Sequence, residues 1–217
     1  MKNNNYKGRH KQAGVSMFEA MLMLPIMLIV GFGIVHGGLV FQAQSNLEYA
    51  ALMAARVGAS SSINIQQMIN EVEFRMRPTT SVDGGDADVV ADQRAKIQIE
   101  VLNPTRGMFA DCGRQPSNPA DCFSAACEIP YFGMQFYDRN DPNNSCSGAS
   151  IQDANILRIR VTYTYDSKVP FLSRIRLTGA AARPEDQGID ISAVATVRMQ
   201  SPARLTLANE PFIYSEP

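Results

Sequence analysis

The spacing of hydrophobic and polar positions changes three times along the chain. Residues 1–14 are polar and basic, and residues 20–41 (AMLMLPIMLIVGFGIVHGGLVF) then run without a charged side chain. About 20 residues at a rise of 1.5 Å cover the ~30 Å hydrocarbon core of a bilayer, so this run predicts a membrane-crossing helix. Helical spacing continues through Leu47, Ala50, Ala51, Ala54 and Val57, with Asn46, Glu48 and Arg56 interleaved. Gly58 and the serines at 60–62 read as the stop. A helix from Val15 to Val57 would be roughly 65 Å long, its inner half in lipid and its outer half packed on the C-terminal domain. Pro25 removes a backbone donor and predicts a kink in the inner half. Residues 63–77 predict a second helix with Ile65, Met68, Ile69 and Val72 on one side, ended by Pro78.

After a loop at 79–92 (TTSVDGGDADVVAD) the period becomes two. Ile97, Ile99 and Val101 alternate with Lys96, Gln98 and Glu100. Leu157, Ile159, Val161, Tyr163 and Tyr165 alternate with Arg158, Arg160, Thr162 and Thr164. Ile189, Ile191, Ala193, Ala195, Val197 and Met199 alternate with Asp190, Ser192, Thr196 and Arg198. Three half-buried strands with a polar outer face predict an antiparallel sheet. Its apolar face needs a cover, which the outer half of the long helix supplies. The fold class is α+β, a long helix on a small antiparallel sheet. Residues 103–155 form a long Pro-, Asn- and Asp-rich insertion between strands. The stretch 166–188 joins the last two, its Val169, Phe171 and Leu172 expected in a core or at the membrane face.

Charge gives the chain a direction. Lys2, Lys7, Arg9 and Lys11 precede the apolar run with no acid among them, whereas the part from Gln42 onward carries about −4. The positive flank stays in the cytoplasm, so the larger part faces out. The acidic balance argues against nucleic acid as a partner, since that affinity comes mainly from Lys and Arg on phosphates. All four cysteines, Cys112, Cys122, Cys127 and Cys146, lie in the insertion. An even, clustered set in an exported domain reads as two disulfides, with three connectivities open. A zinc site is the weaker reading, because paired C-x-x-C spacing is absent and no histidine is near in sequence. A pinned insertion also answers why so long a stretch sits inside a small domain.

The informative motif is Gly14-Val15-Ser16-Met17-Phe18-Glu19, at the boundary between basic leader and apolar run. A lone acid at the head of a membrane helix is costly and needs a partner. Cleavage after Gly14 would create an amine on Val15, one helical turn from Glu19. Gly14 suits a scissile bond because it has no side chain and extends readily. A cleavable secretory signal fits less well, because the run exceeds an ordinary h-region and no A-x-A-like site precedes a clear domain start.

The stretch from Lys11 to Ala59 resembles the N-terminus of type IV prepilins and, more closely, the TadE-like pseudopilins of tight-adherence (Flp, type IVb) pilus systems. The residues that carry the likeness are GVSMFEAMLMLPIMLIVGFGIV (Gly14–Val35) and EYAALMAARVGA (Glu48–Ala59), with VTYTYDSKVPFL (Val161–Leu172) and ATVRMQSP (Ala195–Pro202) near the other end. The resemblance implies a membrane-embedded prepilin peptidase that cuts between Gly14 and Val15, and Glu19 as the glutamate that guides assembly. It implies other pilins, pseudopilins and an inner-membrane assembly platform as partners. Ala20 stands where Flp-type substrates commonly carry an aromatic, and the outer domain exceeds a major Flp pilin, which favours a minor component. The expected organisation is a cytoplasmic leader (1–14), a transmembrane helix (15–41), a periplasmic helical continuation (42–77) and a periplasmic β-rich domain (78–217).

Other signals are weaker. Gly33 and Gly37 form a G-x-x-x-G pair suited to close helix packing. His36 reads either as a polar contact between helices or as an outer-interface residue. Asp83, Asp86 and Asp88, and likewise Asp138, Asp141, Asn143 and Asn144, offer oxygens to a cation, but their order does not match an EF-hand loop. Histidine occurs only at His10 and His36, and no G-x-S-x-G, P-loop or H-E-x-x-H is present. No cofactor is called for, and the expected role is structural rather than enzymatic. The alternative is a signal-anchored periplasmic binding or adhesion domain that is neither processed nor polymerised.

Overall fold

A computed structural model describes residues 17–80, 91, 93–116, 122–124, 126–139, 141, 145–166 and 188–215. Gly14 and Val15, the aspartates at 83, 86 and 88, the asparagines at 143 and 144, and Val169, Phe171 and Leu172 lie outside the described residues.

Helix α1 (Met17–Ser60) runs 44 residues without interruption, with Pro25 inside it. The helix passes Gly58 and stops in the serines. The Ser60 and Ser61 hydroxyls donate to the Val57 carbonyl, and the Ile63 N–H donates to the Gly58 carbonyl at 2.9 Å. Ser62 and Ile63 take positive φ of 56° and 64°, which turns the chain back. Gly58 is instead a close-approach residue: a Cβ there would sit 2.7 Å from Met68 Sδ and 3.0 Å from Leu157 Cδ2.

Asn64 caps α2 (Ile65–Thr80), its side-chain oxygen accepting from the Gln67 N–H at 3.1 Å. Pro78 does not end this helix. It lies in the last turn, where the chain continues to Thr80 and the Thr79 hydroxyl accepts from Asn46 Nδ2 at 3.0 Å. The loop expected at 79–92 is therefore helical at its start, and Ala91 and residues 93–95 are helical as well.

Strands β1 (Ile97–Asn103), β4 (Ile156–Asp166) and β5 (Gly188–Arg198) form one antiparallel sheet in the order β1-β4-β5. The β4–β5 register is regular from Ile156↔Arg198 to Asp166↔Gly188. The β1–β4 register shifts between Val101 and Asn103. Helix α1 packs on the inner faces of β4 and β5, and α2 packs beside α1. The core joins Leu47 and the α1 alanines to Met68, Val72, Ile99, Leu157, Ile159, Val161 and Ile191. Alanines on the covering helix let its backbone come close to the sheet.

The insertion is more regular than its composition predicts. It holds α3 (Arg106–Cys112), a 3₁₀ turn at Met134–Phe136, a short hairpin of β2 (Ser145–Cys146) and β3 (Ala149–Ser150), and α4 (Ile151–Ala154). Thr105 caps α3, and Ser150 caps α4 through the Asp153 N–H. These short elements escape sequence periodicity because each is one or two turns long. The C-terminal stretch sews the insertion to the sheet. Leu205 N–H donates to the Cys127 carbonyl, Ile129 N–H to the Ala203 carbonyl, and Tyr214 N–H to the Val101 carbonyl.

Candidate functional site

The apolar run folds as an exposed helix. From Glu19 to Val35 every described side chain is exposed, with Met27 at 73% and Ile34 at 72%. The helix that contains it is long and apolar enough to cross a membrane. One N-terminal apolar helix of this kind is compatible with single-pass anchoring. Leaving so much contiguous apolar surface in water is unfavourable at about 25 cal/mol per Å², so lipid or other helices must cover it.

Beyond Gly38 the same helix changes character. Ala43, Leu47, Ala50, Ala51, Ala54, Ala55 and Ala59 are all fully buried under the domain. The helix passes through this transition without a break in the backbone. From Phe41 to Ser60 the helix rises roughly 28 Å at 1.5 Å per residue, which sets the height of the domain. Helix α1 and strand β5 run in the same direction. Gln44 Nε2 donates to the Ser192 carbonyl at 3.0 Å near the membrane end, and the Gln200 and Ser201 N–H groups both donate to the Ala59 carbonyl at 3.0 Å at the far end. The insertion and the C-terminal stretch therefore sit at the end of the molecule farthest from the apolar run.

Glu19 lies in the first turn of α1 and is exposed. A carboxylate there is favoured by the free N–H groups and positive dipole of the helix start. Among the described residues nothing lies within 4 Å of where a Cβ would stand at Gly33 or Gly37. His36 is buried, at 7% exposed, while its neighbours Val35 and Gly37 are exposed.

The cysteines pair as Cys112–Cys146 and Cys122–Cys127, with Cα atoms 5.3 and 5.7 Å apart. The first joins the end of α3 to the hairpin, and the second closes a small loop against the C-terminal stretch. Beside the first, Asp111 accepts from the Ser147 N–H at 2.9 Å and hydroxyl at 2.8 Å. Asp138 and Asp141 are linked by a backbone bond of 3.3 Å, from the Asp141 N–H to the Asp138 carbonyl. Among the described residues no three His, Cys, Asp or Glu side chains converge on one point. At the far end a cleft of about 400 Å³ opens between the α1–α2 turn and the C-terminal stretch, with Ser62, Asn64, Gln66, Arg204 and Thr206 in its wall. Its buried Asn209 is fully engaged, donating to the Ile63 and Arg204 carbonyls and accepting from the Thr206 N–H.

Sequence reasoning missed two features. The close approach at Gly58 was hidden because a glycine near a helix end reads first as a stop. The role of Gln44 as a tie to the sheet carries no sequence signal, since it depends on where β5 docks.

The family model described as TadE-like protein matches residues 14–56, about a fifth of the chain. It starts at the glycine of the leader boundary and ends in the domain-covered half of α1. The match is consistent with a TadE-like pilin of the tight-adherence system, a family of structural pilus components. No curated protein and no solved structure matches the chain.

Proposed function

With the TadE-like segment at 14–56 as premise, we propose that this chain is a minor pilin or assembly factor of a tight-adherence type IVb pilus. A prepilin peptidase cleaves between Gly14 and Val15. The new amine of Val15 and the Glu19 carboxylate then neutralise one another, within one subunit or between neighbours, which lowers the cost of holding both in an apolar bundle. The exposed face of α1, with Gly33 and Gly37 open to close approach, packs against other pilins or pseudopilins. The inner-membrane platform extracts it from the bilayer. The leader is cytoplasmic and the disulfide-bearing domain periplasmic, with entry into an extracellular pilus as the end state.

The observation that supports this reading is the continuous helix, bare and apolar over its first half and domain-covered over its second. A helix of this kind transmits the position of the membrane segment to the outer domain. The test is the intact mass and N-terminal sequence of the membrane-extracted protein from cells with and without the peptidase. A chain starting at Val15 only when the peptidase is present is expected. A chain starting at Met1 in both strains overturns the cleavage model.

A further inference from the structure

The two edges of the sheet are finished differently. On β1, the register shift between Val101 and Asn103 and the C-terminal stretch, through Tyr214 N–H to the Val101 carbonyl at 2.9 Å, close the outer end. Among the described residues strand β5 has neither device. Its eleven residues pair with β4 in unbroken register, and it contains no proline and no lysine.

The ladder fixes which groups face outward. Thr164 N–H donates to the Lys96 carbonyl on β1, and the Ser192 carbonyl accepts from Gln44 on the open side. Even-numbered residues of β5 therefore turn both N–H and C=O away from β4. These are Asp190, Ser192, Val194, Thr196 and Arg198, with Gly188 at the start. Among the described residues the Ser192 carbonyl is the one edge-facing backbone group of β5 that is bonded. The side chains of the same residues cover the outer sheet face, where Val194 is 50% exposed. Apart from the Gln44 tie and the charges at its two ends, the edge is long and regular, and such an edge is a template for a further strand.

The charges on that face select its occupant. Arg158 stands opposite Thr196 and Arg198 opposite Ile156, so the two guanidiniums are diagonal neighbours at the end far from the membrane. Both are exposed, and neither makes an ion pair or hydrogen bond among the described residues. Arg160 is already engaged by Glu100 at 2.8 Å. At the membrane end Asp190 accepts from the Thr164 hydroxyl at 2.8 Å.

We infer that the β5 edge receives an extended strand from a different polypeptide, with acidic side chains facing Arg158 and Arg198. A second copy fits poorly. Because α1 and β5 run the same way, two β5 edges paired antiparallel would send their apolar helices in opposite directions, which a common bilayer does not allow. Paired in parallel, the second copy is turned over and offers Arg158 and Arg198 its apolar β5 face, which holds no acid. The β1 edge of a second copy is closed at Val101. The inference goes beyond the pilin reading, and its test does not involve cleavage at Gly14.

The test uses the full chain in detergent and hydrogen exchange resolved to single amides. The probe is an alternating Thr/Val decapeptide with glutamates placed to face Arg158 and Arg198. In the chain alone, the amides of Asp190, Ser192, Val194 and Thr196 exchange fast and those of Ile191, Ala193 and Ala195 are protected. The peptide is expected to slow the first set by about tenfold or more. Exchanging its glutamates for lysines removes that effect. Val194→Pro deletes one edge-facing N–H while sparing the β4 ladder, and is expected to abolish the protection, whereas Val194→Thr keeps it. Protection of the even-numbered amides in the dilute chain alone overturns the proposal. So does protection that grows with protein concentration without peptide, which would make a second copy the occupant. Failure of the glutamate peptide to protect, or equal protection by both peptides, overturns it too.

Discussion

The two halves of α1 differ in polarity and in side-chain size, and they end in opposite environments. The inner half carries large side chains on every face, and all from Met21 to Val35 are exposed. The outer half carries small side chains on one stripe, and Ala43, Ala50, Ala51, Ala54, Ala55 and Ala59 are buried. In the outer half polar residues on the open side leave a stripe of alanines with Leu47 facing the sheet, and the alanines let the sheet approach the backbone closely. The difference teaches that one half must find its partners outside the chain, whereas the other has them already.

The bluntest way to separate the halves is to remove the crosslinks of the outer domain. Loop-closure entropy gives about 4 kcal/mol for Cys112–Cys146, which spans 34 residues, and about 2 kcal/mol for Cys122–Cys127, which spans 5. Cys112→Ser with Cys146→Ser should therefore lower the thermal midpoint of the domain more than Cys122→Ser with Cys127→Ser. Helicity of residues 19–38 should survive both. A loss of that helicity would mean the inner half depends on the domain.

Leu47→Ala tests burial directly. Leu47 is fully buried, and truncation should cost about 2–5 kcal/mol in denaturant unfolding. Leu24→Ala removes the same atoms from an exposed site and should leave domain stability unchanged. Equal losses would break the distinction between the halves.

Two glycines sharpen it further. Gly58→Val pushes into Met68 and Leu157 and should cost about 1–3 kcal/mol. Gly33→Ala meets nothing within 4 Å and should not move the domain's midpoint. Its effect is expected in assembly, as fewer filaments or weaker helix association counted against the parent chain. A Gly33→Ala chain that unfolds earlier would show an internal contact for the inner half.

The smallest effect is in acid. The Ser150 hydroxyl, and less strongly Arg139 at 2.7 Å, hold Asp153 below its ordinary value of 3.8. Because the folded-state value is the lower one, this contribution is present above 3.8 and fades as the pH falls through the folded value. Asp153→Asn should flatten that acid limb in a stability–pH profile, while leaving the inner half untouched. An unchanged profile would assign the acid limb to other carboxylates.

Much of the architecture was legible in the residues. The period of 3.6 from Leu47 to Val57 and the period of two in the three strands depend only on which side chains face a core, so they survive in the sequence. The place where the TadE-like match begins, residue 14, was legible for a related reason. A charge and a glycine at the edge of an uncharged run stand out against their surroundings.

The rest depends on contacts between residues far apart in sequence. Four cysteines allow three pairings, and the nearness of the α3 end to the hairpin selected Cys112–Cys146. Gly58 became a close-packing point because α2 and β4 converge on it. Pro78 stayed helical because it lies in a last turn that Asn46 and Thr79 tie to α1. The bare edge of β5 comes from strand order, which no strand's own pattern encodes. By itself the sequence determined the apolar span, the α+β class and the alternating strands, since these arise from local periodicity. Only the tertiary structure decided the disulfide partners, the capped and open edges of the sheet, and where α1 passes from exposed to buried, because each depends on which distant surfaces meet.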